Sequence, residues 1–353
     1  MTTKERIYTA LTGGMPDRIP FTVYRNIAYM GDDLDDLMAR GMGFMTSCYV
    51  YSARSPNVEM SVEDEVLGGI PTRIVRYKTP VGEIWQRSRT EPGYGSSWSV
   101  EHFIKDVKDY KVLEFIIRDT EYLPNYDAFG KAVESIDDNG VIMARTERIP
   151  IQRLWIEYTG IERLSIDLNE NLSVVEGVME AMMDKSREIW EIIADSPAQF
   201  IWCPDNITGE MTGPSLFDKY CIPYYNEIVD VMHSRGKRVL SHMDGMMKWL
   251  VDNVRSTELD VIEAFTPPPD GNLPLAEARQ SWQGKVISIN FPSSVHIFDP
   301  EDIRDMTMKL LSESAPGNGF IIGVTENVPK SVGARSLSVI ADTINEYGIC
   351  PIS

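Results

Sequence analysis

Cysteine is scarce in this chain: four residues in 353, Cys48, Cys203, Cys221 and Cys350. They lie far apart and form no CxxC pair, so they read as reduced thiols of a cytoplasmic protein. Positive charge is also short, with 34 Lys and Arg against 53 Asp and Glu and a net charge of −19. A surface this acidic repels phosphate backbones and anionic lipid heads, which argues against nucleic acid or a membrane as partner. Apolar runs long enough to span a bilayer are missing. The opening Met1-Thr2-Thr3-Lys4-Glu5-Arg6 is charged and does not read as a signal peptide. Internal repeats, low-complexity tracts and Pro/Ser-rich linkers are absent, so residues 1–353 are expected to form a single domain. A chain of this length buries roughly three quarters of its unfolded surface and needs no disulfide or structural metal to fold.

What is present has a rhythm. Thr3 to Leu11 carries a helical pattern with a threonine cap before it and Gly13-Gly14 after it. Eight short apolar runs follow: Phe21–Tyr24, Phe44–Tyr49, Val141–Ala144, Phe200–Cys203, Arg238–Ser241, Val261–Ala264, Val286–Ile289 and Phe320–Gly323. Runs of this kind suit strands buried on both faces of a parallel sheet. From residue 141 onward long helical stretches separate them, one opening at Ser173 and another running from Ser215 to Ser234. Eight strands alternating with helices predict an α/β fold, a closed (β/α)8 TIM barrel, with an open doubly wound sheet as the alternative. No Gly-rich dinucleotide fingerprint or P-loop follows any strand, which weakens that alternative. Residues 71–90 differ: two alternating runs flank Pro80-Val81-Gly82, predicting a β-hairpin excursion from the N-terminal part of the barrel.

In such a barrel the reacting groups sit where strands end and loops begin. Five consecutive strand ends are polar here, carrying Asp205 with Glu210 close behind, His242 and Asp244, Glu263, Asn290, and Glu326. Singly, each has an ordinary structural explanation, such as a cap, a turn or a solvated rim. Together they point to chemistry, since burying several of them unpaired would cost about 1–3 kcal/mol each. His242 and Asp244 are two apart and point the same way in extended backbone. A histidine beside a carboxylate serves either as an acid/base pair or as two ligands of a divalent metal, which Glu326, or Glu263, would complete.

Several stretches resemble a known group, the uroporphyrinogen decarboxylase-like superfamily. They are Thr3–Ile7 with Pro16–Pro20, Tyr158–Leu164, Gly213–Phe217 through Pro223–Tyr225 and His233–Lys237, and Gly319–Gly323 with Asn327–Pro329. The resemblance covers nearly the whole chain and implies a (β/α)8 barrel. True decarboxylases carry Arg-Gln-Ala-Gly-Arg-Tyr after the first strand to hold porphyrinogen carboxylates. This chain has Tyr24-Arg25-Asn26-Ile27-Ala28-Tyr29 there, which argues against that activity. The other branch, corrinoid-dependent methyltransferases, uses zinc held by a His-x-Cys pair and a further Cys. Those positions read His242-Met243-Asp244 and Glu326 here, with carboxylates in place of both thiolates.

The resemblance therefore implies a methyltransferase that demethylates a small methoxylated or methylated substrate for a corrinoid protein. In this reading His242, Asp244 and Glu326 hold Zn2+, while Asp205, Glu210, Glu263 and Asn290 orient substrate or move a proton. Trp202, Phe265, Phe291 and some of the methionines would line an apolar pocket. The alternative is a metal-independent decarboxylase or lyase acting on a small carboxylic acid, with His242 and Asp244 as its proton-transfer pair. A third reading is a barrel that only binds a corrinoid or a partner protein. A homodimer stays open as the assembly, and the rigid Thr266-Pro267-Pro268-Pro269 segment is a candidate for shaping the mouth or a subunit contact.

Overall fold

The computed structural model describes residues 1–25, 33–90 and 97–352. They divide into two compact units, one of Met1–Val50, Asn125–Thr146 and Ile193–Ser353, the other of Tyr51–Pro124 and Glu147–Ile192.

The first unit is a closed barrel of eight parallel strands. They are β1 (Phe21–Val23), β2 (Met42–Cys48), β3 (Gly140–Arg145), β4 (Phe200–Ile207), β5 (Arg238–Met243), β6 (Val261–Phe265), β7 (Val286–Asn290) and β8 (Phe320–Val324). Each pairs with its neighbour in chain order, and β8 closes the ring on β1 through Phe21 opposite Ile322. All eight expected runs are strands of this ring. Every residue of β6, β7 and β8 is buried, as the continuous apolar runs require for strands covered by helices outside and side chains inside.

One end of the ring is covered by the helix Thr3–Leu11. Its Thr2 cap and Glu5 form a reciprocal capping box. Its Ile7, Ala10 and Leu11 join Phe200, Val261 and Val286, the first residues of β4, β6 and β7, in one apolar cluster with Met45, Val141, Met143, Trp202, Leu240 and Ile321. Tyr8 also meets Phe200 edge-on at 5.3 Å. The helix therefore closes the amino ends of the strands and leaves the carboxyl ends for chemistry. The helix expected from Ser215 is interrupted differently: Gly213 adopts φ 63, so a new helical segment starts with Pro214 and not with a serine cap. It continues through Phe217–Cys221 into Ile222–His233.

The second unit contains the expected hairpin, Ile70–Thr79 against Gly82–Thr90, turning between Thr79 and Gly82. Glu59–Leu67 and Ser97–Glu101 extend it to a four-stranded antiparallel sheet. The outer strand Glu59–Leu67 is almost wholly exposed and carries Glu59, Glu63, Asp64 and Glu65, charges that blunt an open edge. In the same unit Asp167 is buried and accepts from Tyr110 Oη at 3.0 Å, and from Arg163 Nε and Nη2 at 2.7 and 2.6 Å. Among the described residues no helix is long and apolar enough to cross a membrane.

Leu11 is fully buried in the cluster that closes the barrel. Leu11→Ala is expected to cost about 2–5 kcal/mol, read as a lowered denaturant midpoint with an unchanged far-ultraviolet spectrum.

Candidate active site

In parallel neighbours at matched register, side chains on the same face stand about 5 Å apart. His242 on β5 is in register with Glu263 on β6. Leu240 and Val261, two residues earlier, belong to the interior cluster, so the period of two sends His242 and Glu263 inward as well. The His242 Nδ1 lies 3.0 Å from Glu263 Oε2. Two further donors converge on the same carboxylate: Trp202 Nε1 donates to Oε2 at 2.9 Å and Tyr24 Oη donates to Oε1 at 2.7 Å. Glu263 is fully buried, and three donors hold it there.

The backbone at this point is shaped for the task. Ala264 has φ 59, a left-handed conformation uncommon for a residue with a Cβ, and it is the extra residue where the β6–β7 register shifts. The bulge breaks the regular pleat immediately after Glu263.

Charge follows from the contacts. Burial by itself lowers the His242 pKa, but the Glu263 charge and hydrogen bond, with Asp244 beyond, more than offset it and raise it to about 10. The ring is therefore an imidazolium near neutral pH. Its Nδ1 proton is committed to Glu263, while Nε2 lies 3.7 Å from Asp244 Oδ2, beyond hydrogen-bond reach. Of the two ring protons the one on Nε2, facing Asp244 at the longer distance, is the more loosely held. Burial, then the Glu263 charge, push the Tyr24 hydroxyl well above the ordinary tyrosine value, so it stays a neutral donor.

The other expected site residues are placed differently. Asp205 is fully buried but accepts from Tyr225 Oη at 2.8 Å and Ser241 Oγ at 3.4 Å. Ser241 adjoins inward-facing His242 and so faces outward, which puts Asp205 on the helix side of the sheet beside Ile222–His233. Regular alternation from inward-facing Phe200 and Trp202 gives the same outward direction. Asn290 accepts from the Thr325 amide at 2.9 Å through its Oδ1, while its buried Nδ2 has no hydrogen-bond partner among the described residues. Glu210 is exposed in the first turn of Gly209–Leu216. Glu326 is exposed too, and accepts from Ser293 Oγ at 2.5 Å. Among the described residues no group of three or more His, Cys, Asp or Glu side chains is arranged to hold a metal ion. His242, Asp244 and Glu326 are therefore not gathered into the ligand set expected for zinc. Burial pushes the Cys203 and Cys221 thiols well up, so neither is a ready nucleophile. Asn26 to Tyr29, compared with the decarboxylase motif, lie outside the described residues.

Tyr24, as a partner of Glu263, was not anticipated, and Trp202 was anticipated only as pocket lining. Tyr24 stands just past the end of β1, a position that could have signalled it, whereas Trp202 lies within β4 and only its contact with Glu263 reveals it. Arg145, the last residue of β3, completes the ring of polar strand ends.

The imidazolium makes stability pH-dependent. With its folded pKa above the ordinary 6.5, His242 contributes stability that is complete below that value and is lost as the pH rises through about 10. The melting temperature of the wild type is expected to fall across this interval, and to fall less in His242→Gln. A parallel fall in both proteins would contradict the charged pair. Glu263→Gln strips the buried imidazolium of its counter-charge and is expected to cost about 3–5 kcal/mol, measured by chemical unfolding at neutral pH.

The uroporphyrinogen decarboxylase family model matches residues 156–347, more than half of the chain. Among solved structures, a methyltransferase from Methanosarcina mazei superposes with a TM-score of 0.62 at 10% identity, covering 98% of this chain and 99% of that one. A B12-independent methionine synthase from Shewanella sp. W3-18-1 matches with a TM-score of 0.42 at 10% identity, over 89% of this chain and 86% of that one. A comparison with curated proteins gave no significant match. The likeness to the Methanosarcina mazei structure is one of fold, and it agrees with the eight-stranded barrel described above. By its sequence and its barrel, the chain belongs to the uroporphyrinogen decarboxylase family.

Proposed function

We propose that this protein is a methyltransferase-like enzyme that demethylates a small methoxylated or methylated substrate, with a corrinoid on a separate protein as methyl acceptor. The observation that carries the reading is the buried His242–Glu263 pair at the carboxyl end of the barrel, with the other ring nitrogen, Nε2, facing only the more distant Asp244 carboxylate at 3.7 Å. A methoxy or amine methyl group leaves slowly unless the atom it departs from is made a better leaving group. A Lewis acid does this, and so does a Brønsted acid. The donors here fit zinc poorly, because Glu326 is engaged with Ser293 and no three-ligand group forms among the described residues. The imidazolium supplies the Brønsted alternative. In the proposed reaction the C–O or C–N bond would break with its electron pair left on the heteroatom, which would take the His242 Nε2 proton, and the methyl group would go to the corrinoid acceptor, whose reduced metal would supply the electron pair of the new bond. Glu263 holds the ring in the charged form and fixes its orientation, and Tyr24 and Trp202 hold Glu263. The shared fold with the Methanosarcina mazei methyltransferase supports this reading.

Decarboxylation of a small acid is the second reading, favoured by the family match and by the same proton donor, which serves equally to quench a carbanion. The two differ in product. Purified protein is to be incubated with reduced cobalamin and a panel of methoxybenzoates, methoxyphenols and methylamines, following methylcobalamin by absorbance and carbon dioxide release in parallel. Methylcobalamin is expected from the wild type, about 10²-fold more slowly from His242→Gln, and at an unchanged rate after chelator treatment. Carbon dioxide release without methyl transfer, or a chelator-sensitive rate restored by zinc, would overturn the proposal.

A further inference from the structure

Arg145 ends β3 at the rim where His242 and Glu263 lie. Its guanidinium carbon sits 5.2 Å from the centre of the Trp202 ring and 5.3 Å from the centre of the Tyr49 ring. Such contacts hold the cation by the quadrupoles of the two rings and use no acceptor for its N–H groups. The Arg145 Nε atom is buried and has no hydrogen-bond partner among the described residues. Among the described residues no carboxylate comes within ion-pair distance of Arg145, although the chain carries 53 Asp and Glu. A buried donor left open is costly, and in a protein so rich in acids an arginine without one is set aside for something else. The Trp202 ring that stacks on Arg145 also lies 6.1 Å, centre to centre, from the His242 ring and donates to Glu263. Arg145 and His242 therefore both pack against one indole.

We infer that Arg145 is the anchor for a substrate carboxylate, gripping it side-on through its Nε edge while the rest of a small planar acid reaches past Trp202 to His242. This rests on the preceding reading only in taking His242 as the reacting pole, and it deepens that reading by naming the substrate class. Of the small methylated compounds considered above, it selects a methoxylated aromatic acid over a methylated amine, whose positive charge the free guanidinium repels. The fork geometry suits a carboxylate, which accepts two parallel N–H bonds, and does not suit its neutral amide, which offers one oxygen.

The test is a binding titration, independent of turnover. Calorimetry is to compare 4-methoxybenzoate and benzoate with 4-methoxybenzamide and benzamide, using wild type, Arg145→Met, Arg145→Lys and His242→Gln. Wild type is expected to bind each acid at least about tenfold more tightly than its amide. Arg145→Met is expected to lose that preference while keeping the amide affinity, and Arg145→Lys to recover part of it as a point charge. The two arginine variants check each other against misfolding, with their melting curves as control. The preference is expected to survive in His242→Gln. If the acids bind preferentially through Arg145 but are not demethylated, the anchor stands and the methyl-transfer reading falls. Equal affinity for acid and amide in the wild type, acid binding unchanged in Arg145→Met, or no saturable binding of either acid would overturn the anchor itself.

Discussion

The site depends on one carboxylate taken out of water. Glu263 is fully buried, and that is tolerable only because a tyrosine hydroxyl, an indole N–H and an imidazole N–H all point at it. Its partners come from three other places around the ring: Tyr24 just past β1, Trp202 on β4 and His242 on β5. A single acid thus ties together widely separated strands, and any slip of register would strand a buried charge. The specificity of the barrel's register and the charge state of its histidine are two results of the same cluster.

The cluster also explains why the two halves of the barrel interior differ. Below the Glu263 layer the inward side chains are apolar, from Phe200, Leu240, Val261, Val286 and Ile321 down to the Thr3–Leu11 helix. That half is a packed core and its role is rigidity. Above it the inward positions are Arg145, His242 and Glu263, and the hydrogen bonds replace close packing as the source of order. Ala264 stands at the boundary. Its left-handed backbone is an unfavourable choice held in place by the surrounding sheet, as irregular backbone at reacting sites often is.

The barrel was legible because its signal is redundant. Eight short apolar runs and a capped first helix leave little freedom once the chain must bury them, and the hairpin at residues 71–90 announced itself through its turn. The strand Glu59–Leu67 was not legible, since an exposed acidic strand has no burial pattern to read. At the site, His242 and Glu263 were found from their strand-end positions, but their mutual contact was not, because register between strands is a property of the fold and not of local spacing. Asp205 was assigned to the mouth from its strand-end position alone, and with Phe200 and Trp202 facing inward the period of two turns it to the helix side. Tyr24 and Trp202 were hidden by their chemistry: both types are at home in any core, and only a buried acid between them reveals their polar ends as the useful part.

The helix Thr3–Leu11 that seals the amino ends of the strands makes the interior one-ended. Traffic with solvent is then confined to the carboxyl side, and everything reaching His242 shares that route. In the proposed reaction a bound substrate would stand in the path by which a spent imidazole regains its proton, so recharging would wait for product to leave. Each cycle would then begin with one proton already loaded. The plug at the far end, remote from His242, would in that way set the order of events at the mouth.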